Sequence, residues 1–418
     1  MKIRSITYFL NPGWPIQTQR INEAATFIHA VRIALTEAGF EVQSTRLATV
    51  PFCDLVTPTQ SVQLAQTLEK IAIESGFGYV ALGPARPDHL EHYTIIPDIL
   101  AATQSVFVTG EIASNQSISL PCVRACAAVI HHTATLTPDG FANLRFAALA
   151  NVPPGAPFFP AAYSAGEEPG FALAIESADL AVSAFTNAHS ITEARNTLRN
   201  SIETAAKTLA PICQALSVEY GIHFFGLDFT LAPYPEKERS TATAIERVGV
   251  PAIGLAGSLA AAAIVAEALD RADYPRTGFN GLMLPVLEDF TLAERVSQGI
   301  LTINDLLLYS TVCGTGLDTI PLPGGTSIGH LTAILLDVAA LATRLNKPLT
   351  ARLMPIPGKT SGDLTNFSFA YFANSRILPL PAATLEGLLA GNETFELKPR
   401  RRQEPAQDNN PMGSEPEI

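Results

Sequence analysis

Charged side chains and cysteine are both scarce in this chain of 418 residues: Asp, Glu, Lys and Arg make up 16% of it, and five residues are cysteine. An odd number of irregularly spaced cysteines argues against a disulfide framework and favours reduced thiols. No apolar run of signal-peptide length follows Met1, because Asn11, Pro12 and Gly13 interrupt it. These absences predict a cytoplasmic protein.

Positive charge is scarce as well, with 27 Lys and Arg against 39 Asp and Glu and a net charge of −12. Such a chain has no general field to attract nucleic acid or an anionic membrane, so neither is predicted as a partner. The one basic cluster, at 398–402, lies in a polar end. That end, 391–418, is predicted to be a disordered tail.

Apolar residues are abundant, at 47% of the chain. The longest uncharged run, 248–266, contains Pro251 and three glycines, so it is interpreted as a buried strand followed by a buried helix rather than a membrane span. A chain this apolar is also predicted to form a homo-oligomer.

Strand-like apolar runs alternate with helical patterns almost from end to end. There are about ten such runs, at 3–10, 41–47, 77–83, 105–112, 144–150, 170–177, 223–232, 251–257, 281–287 and 350–356. This alternation predicts a single α/β domain over residues 1–390 with a largely parallel sheet. The spacing alone is compatible with a doubly wound sheet, two halves or a closed barrel.

The segment VCGTGLDTIPLPGGTSIGH, residues 312–330, contains two candidate features. Cys313 follows a predicted helix that opens at Thr302, and it is either a catalytic thiol or a small buried residue under a turn. Gly324, Gly325, Thr326 and Ser327 precede a second helix, whose first N–H groups are either an anion site or an ordinary cap. Neither dinucleotide nor P-loop glycine spacing is present, so no nucleotide is predicted.

Carboxylates near the ends of predicted strands are the next candidates, because parallel-sheet enzymes bind ligands at the carboxyl ends of strands. Asp228, Glu111, Glu167 and Glu168 meet this criterion. Each is either a site residue or a structural hydrogen-bond acceptor.

The late segment RLMPIPGKTSGD, residues 352–363, places Lys359 in a glycine-containing loop, as a candidate cation for an anionic substrate or for a thiolate at Cys313. Among the metal-ligating residue types, Cys122 and Cys126 with the adjacent histidines cannot easily all face one ion, and the other histidines show no shared spacing. No metal site is predicted, and no cofactor is identified.

Three segments together resemble a known family: FGLDFTLAP at 225–233, VCGTGLDTIPLPG at 312–324, and RLMPIPGK with the Gly362-Asp363 pair. They resemble the family designated domain of unknown function 711, most clearly from about 161 to about 369. The resemblance implies a fold similar to pyruvate formate-lyase and the glycyl radical enzymes, a barrel of ten strands in two parallel five-stranded halves.

Glycyl radical chemistry itself is not predicted, because the region that matches the radical glycine loop reads FAYFANSRIL at 369–378. Family members also tend to have a cysteine near the end of the fourth strand, where this chain has Phe107. The missing glycine motif argues against a glycyl radical enzyme, and Phe107 argues against a mechanism that uses two thiols; the fold expectation stands.

The sequence therefore predicts an enzyme acting on a small anionic metabolite, with a non-catalytic small-molecule binding or sensing protein as the alternative. The catalytic candidates are Cys313, Asp318, Asp228 and Glu168. The substrate-binding candidates are Glu111, Glu167, Gly324, Gly325, Thr326, Ser327, Arg352 and Lys359.

Overall fold

The computed structural model describes residues 1–166 and 168–399. Its strands are β1 Lys2–Leu10, β2 Thr45–Pro51, β3 Tyr79–Gly83, β4 Val106–Ser114, β5 Ser117–Ser119, β6 Phe146–Ala150, β7 Gly170–Glu176, β8 His223–Asp228, β9 Gly316–Pro323, β10 Leu349–Ile356 and β11 Thr394–Glu396. Its helices are α1 Thr18–Glu37, α2 Pro58–Glu74, α3 Ile96–Ala102, α4 Leu120–Thr133, α5 Ala178–Asn187, α6 Ile191–Tyr220, α7 Thr241–Arg247, α8 Ser258–Asp270, α9 Phe290–Ser297, α10 Ile303–Tyr309 and α11 Ile328–Leu345.

The strands form one mixed sheet of 11 strands in the order β8-β7-β1-β2-β3-β4-β6-β10-β9, with β5 and β11 attached beside β4. The middle strands β1, β2, β3, β4 and β6 are mutually parallel. On one side β7 is antiparallel to β1, and on the other β10 is antiparallel to β6. The sheet therefore has one parallel run of five strands flanked by two pairs that run the opposite way.

The edge strands β8 and β9 do not pair with each other, so the sheet is not closed. Segment 276–285 lies against both edges through single bridges, at Leu231 with Leu282 and at Pro285 with Asp318. The expectation of a closed ten-stranded barrel with two parallel five-stranded halves is corrected by this arrangement. The coarser prediction of an α/β fold around a large sheet is confirmed.

Two predicted strands do not form as ladders. The run 251–257 is a series of turns, in which Gly254 and Gly257 have φ of 106° and 99°, values that favour glycine. The run 281–287 makes only single bridges and contains Pro285, which has no N–H to donate to a ladder. In contrast, β9 is eight residues long, although the sequence indicates only a short strand ahead of Gly324.

Helix boundaries follow local capping chemistry. The Ser190 hydroxyl accepts the Glu193 N–H at 3.1 Å, as its sequence predicts. The capping-box spacing of Thr291 and Glu294 predicts a helix cap at Thr291, and this is wrong: the Asp289 carboxylate accepts the Thr291 and Leu292 N–H groups at 2.9 and 3.0 Å, and α9 begins at Phe290. Pro211 lies inside α6, which remains one helix of 30 residues.

Helix α11 is, within the described part of the chain, the one helix that is long and apolar enough to cross a membrane by length and composition. Half of it is buried inside the protein, where it packs on α4 and β10. This burial is typical of a core helix in an α/β fold.

The predicted tail overlaps ordered structure at its start. Strand β11, at 394–396, pairs antiparallel with β5. The rest of the predicted tail, from 400 to 418, lies outside the described residues. The single domain over 1–390 stays a prediction.

Candidate functional site: an arginine-lined cavity

A cavity of about 460 Å³ lies where the parallel strands begin. Four strands each contribute a side chain from their first few residues: Arg4 from β1, Arg46 from β2, Tyr79 from β3 and Phe107 from β4. Since β7 runs antiparallel to β1, its carboxyl-terminal Glu176 lies at this same edge. The cavity therefore lies at the amino ends of the parallel strands, on the same edge as the carboxyl end of β7.

One wall of the cavity is aromatic and apolar. Its side chains are those of Tyr79, Phe107, Phe141, Leu144, Phe158, Phe159, Met283, Phe369 and Tyr371. The lining also contains four arginines, Arg4, Arg46, Arg145 and Arg352, against two carboxylates, Glu288 and Asp318. An excess of positive charge beside aromatic surface suits an organic anion with an apolar body.

A series of ion pairs, alternating between arginine and carboxylate, includes several of these lining residues. Arg239 donates to Glu176, and Arg4 donates to Glu176 at 3.3 Å and to Glu288 at 2.8 Å. Arg352 continues the series, because it donates to Glu288 at 2.7 Å and to Asp318 at 2.5 Å.

This series, Arg239–Glu176–Arg4–Glu288–Arg352–Asp318, is called the ion-pair chain below. Three arginines in it face three carboxylates, so the ion-pair chain is neutral in itself. Both Asp318 and Arg352, which the sequence predicted as site residues, belong to it.

Two arginines of the lining, Arg46 and Arg145, lie outside the ion-pair chain, and the Arg145 guanidinium donates to the backbone carbonyls of Leu100, Thr103 and Val106. Arg46 has fewer partners. Its Nε donates to the Ser44 hydroxyl at 3.0 Å, and its guanidinium lies 5.0 Å from the Phe159 ring centroid and 5.9 Å from that of Tyr79. Within the described residues it has no carboxylate partner. Burial, and then the positive charge of Arg4, lower the pKa of Arg46 to about 9. An anionic ligand would compensate this charge.

Asp318 is a cavity carboxylate whose pKa is perturbed. Burial raises the pKa of its carboxyl group, the paired Arg352 opposes that effect, and the neighbouring Glu288 adds to it. A carboxyl group that holds a proton more readily than usual can exchange it with a bound ligand.

Comparison with known proteins supplies the family. The sequence model described as "Uncharacterised ACR (DUF711)" matches residues 1–372. The chain belongs to the DUF711 family. The resemblance indicated by the three sequence motifs is thereby confirmed, and it extends through the divergent first part of the chain.

Relatives of this DUF711 chain carry the name UPF0210 protein. The one from Pyrobaculum islandicum is 30% identical over 369 residues, covering 82% of this chain and 80% of the relative. The one from Methanosarcina acetivorans is 29% identical over 370 residues, covering 83% and 79%. These names state no substrate and no reaction.

Asp228, a predicted catalytic residue of this DUF711 protein, is fully buried at the end of β8 and does not line the cavity. Its carboxylate accepts four hydrogen bonds, from the Thr230 N–H and hydroxyl and from the Phe279 and Asn280 N–H groups. Burial raises the pKa of this carboxyl, and the four hydrogen bonds oppose the effect. A Cβ at Gly278 would lie 2.1 Å from its Oδ2. Asp228 therefore anchors segment 277–281.

Other predicted carboxylates lie elsewhere. Glu111 is half-buried in β4, where its side chain accepts from the Ser114 hydroxyl at 2.5 Å and burial raises its pKa. Glu168 is exposed and lines a separate small cavity with His223. Glu167 lies outside the described residues.

The anion site predicted at 324–327 is occupied by the helix's own capping interactions. Ser327 is the N-cap of α11, since its hydroxyl accepts the His330 N–H at 3.2 Å. The Thr326 hydroxyl donates to the Pro323 carbonyl at 2.6 Å, and the Gly324 N–H to the Lys359 carbonyl at 3.0 Å. Gly325 lies between them, and none of the four lines the cavity.

Cys313 is buried just before β9, whereas Lys359 follows the end of the parallel neighbour β10. The two strands are parallel, with one register shift, and the eight residues of β9 lie between these positions, so about 25 Å separates them. The expected pairing of Lys359 with a Cys313 thiolate is therefore wrong.

The lysine beside Cys313 is Lys347, which donates to the Cys313 carbonyl and to the Ser310 carbonyl at 3.1 Å. Burial lowers the pKa of Lys347.

The glycines of the family's Cys-Gly-x-Gly element serve close packing. A Cβ at Gly281 would lie 2.5 Å from the Gly314 Cα, so the two backbones touch where no side chain fits. Gly316 has a φ of 91° and would meet the Thr350 carbonyl oxygen at 2.4 Å if it carried a Cβ. This element joins segment 276–285 to β9.

Arg4, Arg46 and Glu288 are the site residues that sequence reasoning missed. The signal was available for Arg4 and Arg46, since each is an arginine in an otherwise largely apolar strand, KIRSITYFL and TRLATVP. The rule that ligands bind at the carboxyl ends of parallel strands does not select these two positions, because both lie near the amino ends of their strands. Glu288 lies in a loop, where its sequence gives no distinguishing signal.

Proposed function

We propose that the protein is an enzyme that binds a small organic anion in the arginine-lined cavity, and that Asp318 exchanges a proton with that ligand. The observation that carries the proposal is Arg46, a cavity-facing guanidinium without a carboxylate partner next to a neutral ion-pair chain. No glycyl radical takes part. A cytoplasmic location and a homo-oligomer stay predictions.

The dimensions of the cavity limit the ligand. Its volume of about 460 Å³ lies in the range of small-molecule sites, which is roughly 300–1,000 Å³. A carboxylate or phosphate group on Arg46 would lie beside Phe159 and Tyr79, so a flat apolar body can stack on those rings. The ligand class is thus a carboxylate or phosphate attached to a ring or short hydrocarbon.

Asp318 is the carboxylate best suited to proton transfer. Glu288 accepts from both Arg4 and Arg352, whereas Asp318 is paired with Arg352 alone and burial raises the pKa of Asp318. A ligand atom within hydrogen-bond reach of its second oxygen can receive or lose a proton there.

A non-catalytic binding protein is the second candidate. Among the side chains that line the cavity there is no cysteine or histidine, and the hydroxyl of Ser44 is engaged with Arg46 and with the Arg4 carbonyl. This arrangement provides no nucleophile with an adjacent base. Binding and release without chemistry would need nothing more than the arginines and the aromatic wall.

The first experiment is calorimetric titration of the full chain with aromatic carboxylates, aliphatic carboxylates, organic phosphates and the neutral amides of the same acids. We expect acids to bind and amides not to. Arg46→Gln should weaken binding about 10- to 150-fold, because a charge-assisted hydrogen bond contributes about 1.5–3 kcal/mol. Arg32→Gln, an exposed position on α1, is the matched control and should bind as the wild type does.

Equal affinity of the wild type and Arg46→Gln for every acid would refute the anion site. To separate the two candidates, each bound acid is incubated with the wild type and with Asp318→Asn, and products are followed by mass spectrometry. Turnover that is lost in Asp318→Asn while binding remains supports the enzyme. An acid that stays unchanged with the wild type supports the binding protein.

A further inference from the structure

A cluster of two histidines and a glutamate lies far from the arginine-lined cavity. The segment after β3, Pro87–Ile95, is a 3₁₀ helix interrupted at His89, whose φ and ψ are −128° and 53°. The interruption brings side-chain atoms of His89, Glu91 and His92 within 4.8 Å of one another. On an uninterrupted helix, residues two apart would not face each other.

His92 is oriented as a ligand would be. The side chain is 3% exposed, and its Nε2 lies 2.8 Å from the Val56 carbonyl oxygen, which can only accept, so Nε2 carries the proton. The other nitrogen, Nδ1, therefore presents a lone pair. It is buried without a hydrogen-bond partner, and it points to the Glu91 carboxylate, whose Oε1 is 3.5 Å away.

His89 lies on the other side of Glu91, with a more distant partner for its second nitrogen. Its Nδ1 lies 3.8 Å from the same Glu91 Oε1, and its Nε2 lies 3.9 Å from the Asp88 carboxylate. In protein metal sites a ligating histidine typically donates its second N–H to a carboxylate or a backbone carbonyl. The Val56 carbonyl is such a partner for His92, and Asp88 is the carboxylate that a small movement would bring to the second nitrogen of His89.

We propose that His89 Nδ1, Glu91 Oε1 and His92 Nδ1 bind a divalent transition metal of the zinc type, with a fourth position open to water. Two imidazole nitrogens and one carboxylate are a known zinc ligand set, and ligands at about 2.1 Å in a tetrahedron lie about 3.4 Å apart. The observed 3.5 and 3.8 Å require only a small inward movement. Glu91 and His89 are partly exposed, so solvent reaches the fourth position.

A simple ion pair explains the cluster less well. Both nitrogen-to-oxygen separations are 3.5 Å or more, beyond the usual length of a charge-assisted hydrogen bond. A metal ion satisfies the buried Nδ1 and uses both outer partners.

The test uses the full chain freed of metal with a chelator, then titrated with Zn²⁺ and with Co²⁺. We expect one ion per chain, a raised thermal midpoint, and visible cobalt absorption of the intensity typical of four-coordinate sites. Because His92 is buried and its variants can fail to fold, the informative variants are His89→Ala and Glu91→Gln. Each should lose the cobalt band and the shift in midpoint while keeping the circular dichroism of the wild type.

Two further variants complete the design. Asp88→Asn should keep the band but weaken zinc binding about 10- to 100-fold, as expected for an outer partner. His189→Ala, at an exposed histidine on another part of the surface, should behave as the wild type. Absence of one-to-one binding in the wild type, or binding unchanged in both His89→Ala and Glu91→Gln, would overturn the proposal.

Discussion

Replacement of Asp228 by asparagine is expected to destabilise the fold by about 2–3 kcal/mol. In the wild type the Phe279 N–H donates to Oδ2 of Asp228 at 2.8 Å. An asparagine retains one acceptor oxygen, which can accept from Thr230 and Asn280, but it places an NH₂ group against the Phe279 N–H. One charge-assisted hydrogen bond is lost and one buried donor is left unpaired, together about 2.5–6 kcal/mol. Burying the charged carboxylate of Asp228 is itself unfavourable, which is why its pKa is raised. Asparagine removes that charge, and this offsets part of the cost.

Urea unfolding followed by far-ultraviolet circular dichroism measures the difference. Asp273→Asn, at an exposed aspartate in the same region, is the matched control and should change the free energy of unfolding by less than about 0.5 kcal/mol. Gly278→Ala should be destabilised as well, since its methyl group would displace the Asp228 carboxylate. An Asp228→Asn protein as stable as the wild type but unable to bind the organic acids would show that Asp228 belongs to the site and not to the scaffold.

Three further outcomes are expected. Arg46→Met should raise the free energy of unfolding by about 1–2 kcal/mol in urea while abolishing anion binding, because it removes a charge that has no carboxylate partner; a less stable variant would contradict this. All five cysteines are buried, so a thiol reagent should label none in the native chain and all in urea, and Cys313→Ala should bind organic acids normally. Burial raises the pKa of Tyr8 to about 12 from a usual 10. The neutral Tyr8 hydroxyl should therefore contribute to the free energy of unfolding fully below pH 10, and this contribution should be lost as the pH rises from 10 to 12. Alkaline unfolding of Tyr8→Phe beside the wild type, with tyrosinate absorbance as the probe, checks this, and identical pH profiles would contradict it.

The fold class was predictable because apolar runs such as β1, β3 and β7 are local properties of the sequence. Strand order was not, since it depends on pairing between distant segments: β6 pairs with β10 and β1 with β7. Closure was also beyond prediction, because it depends on whether segment 276–285 forms a ladder or single bridges, and both give the same apolar pattern.

The candidate site was predictable in part for the same reason. Asp318 and Arg352 are polar residues in apolar strands, and both lie in the cavity. Arg4 and Arg46 have an equivalent signal at the amino ends of their strands. Only the mixed direction of the sheet, which the sequence does not specify, brings those amino ends to the edge where β7 finishes with Glu176.

The parallel strands β1, β2, β3, β4 and β6 all lie within residues 1–150, and β7 follows at Gly170, so a ribosome completes them long before β10, which begins at Leu349. Until β7 and β10 have been translated, β1 and β6 have unpaired apolar edges. In β6, Ala150 pairs with Leu349, which is about 200 residues later in the chain. Open edges of this kind are templates for association with other nascent chains. The cavity is lined by both Arg4 and Tyr371, so it is incomplete until residue 371 has been translated. Before then, ligand binding cannot stabilise the nascent chain.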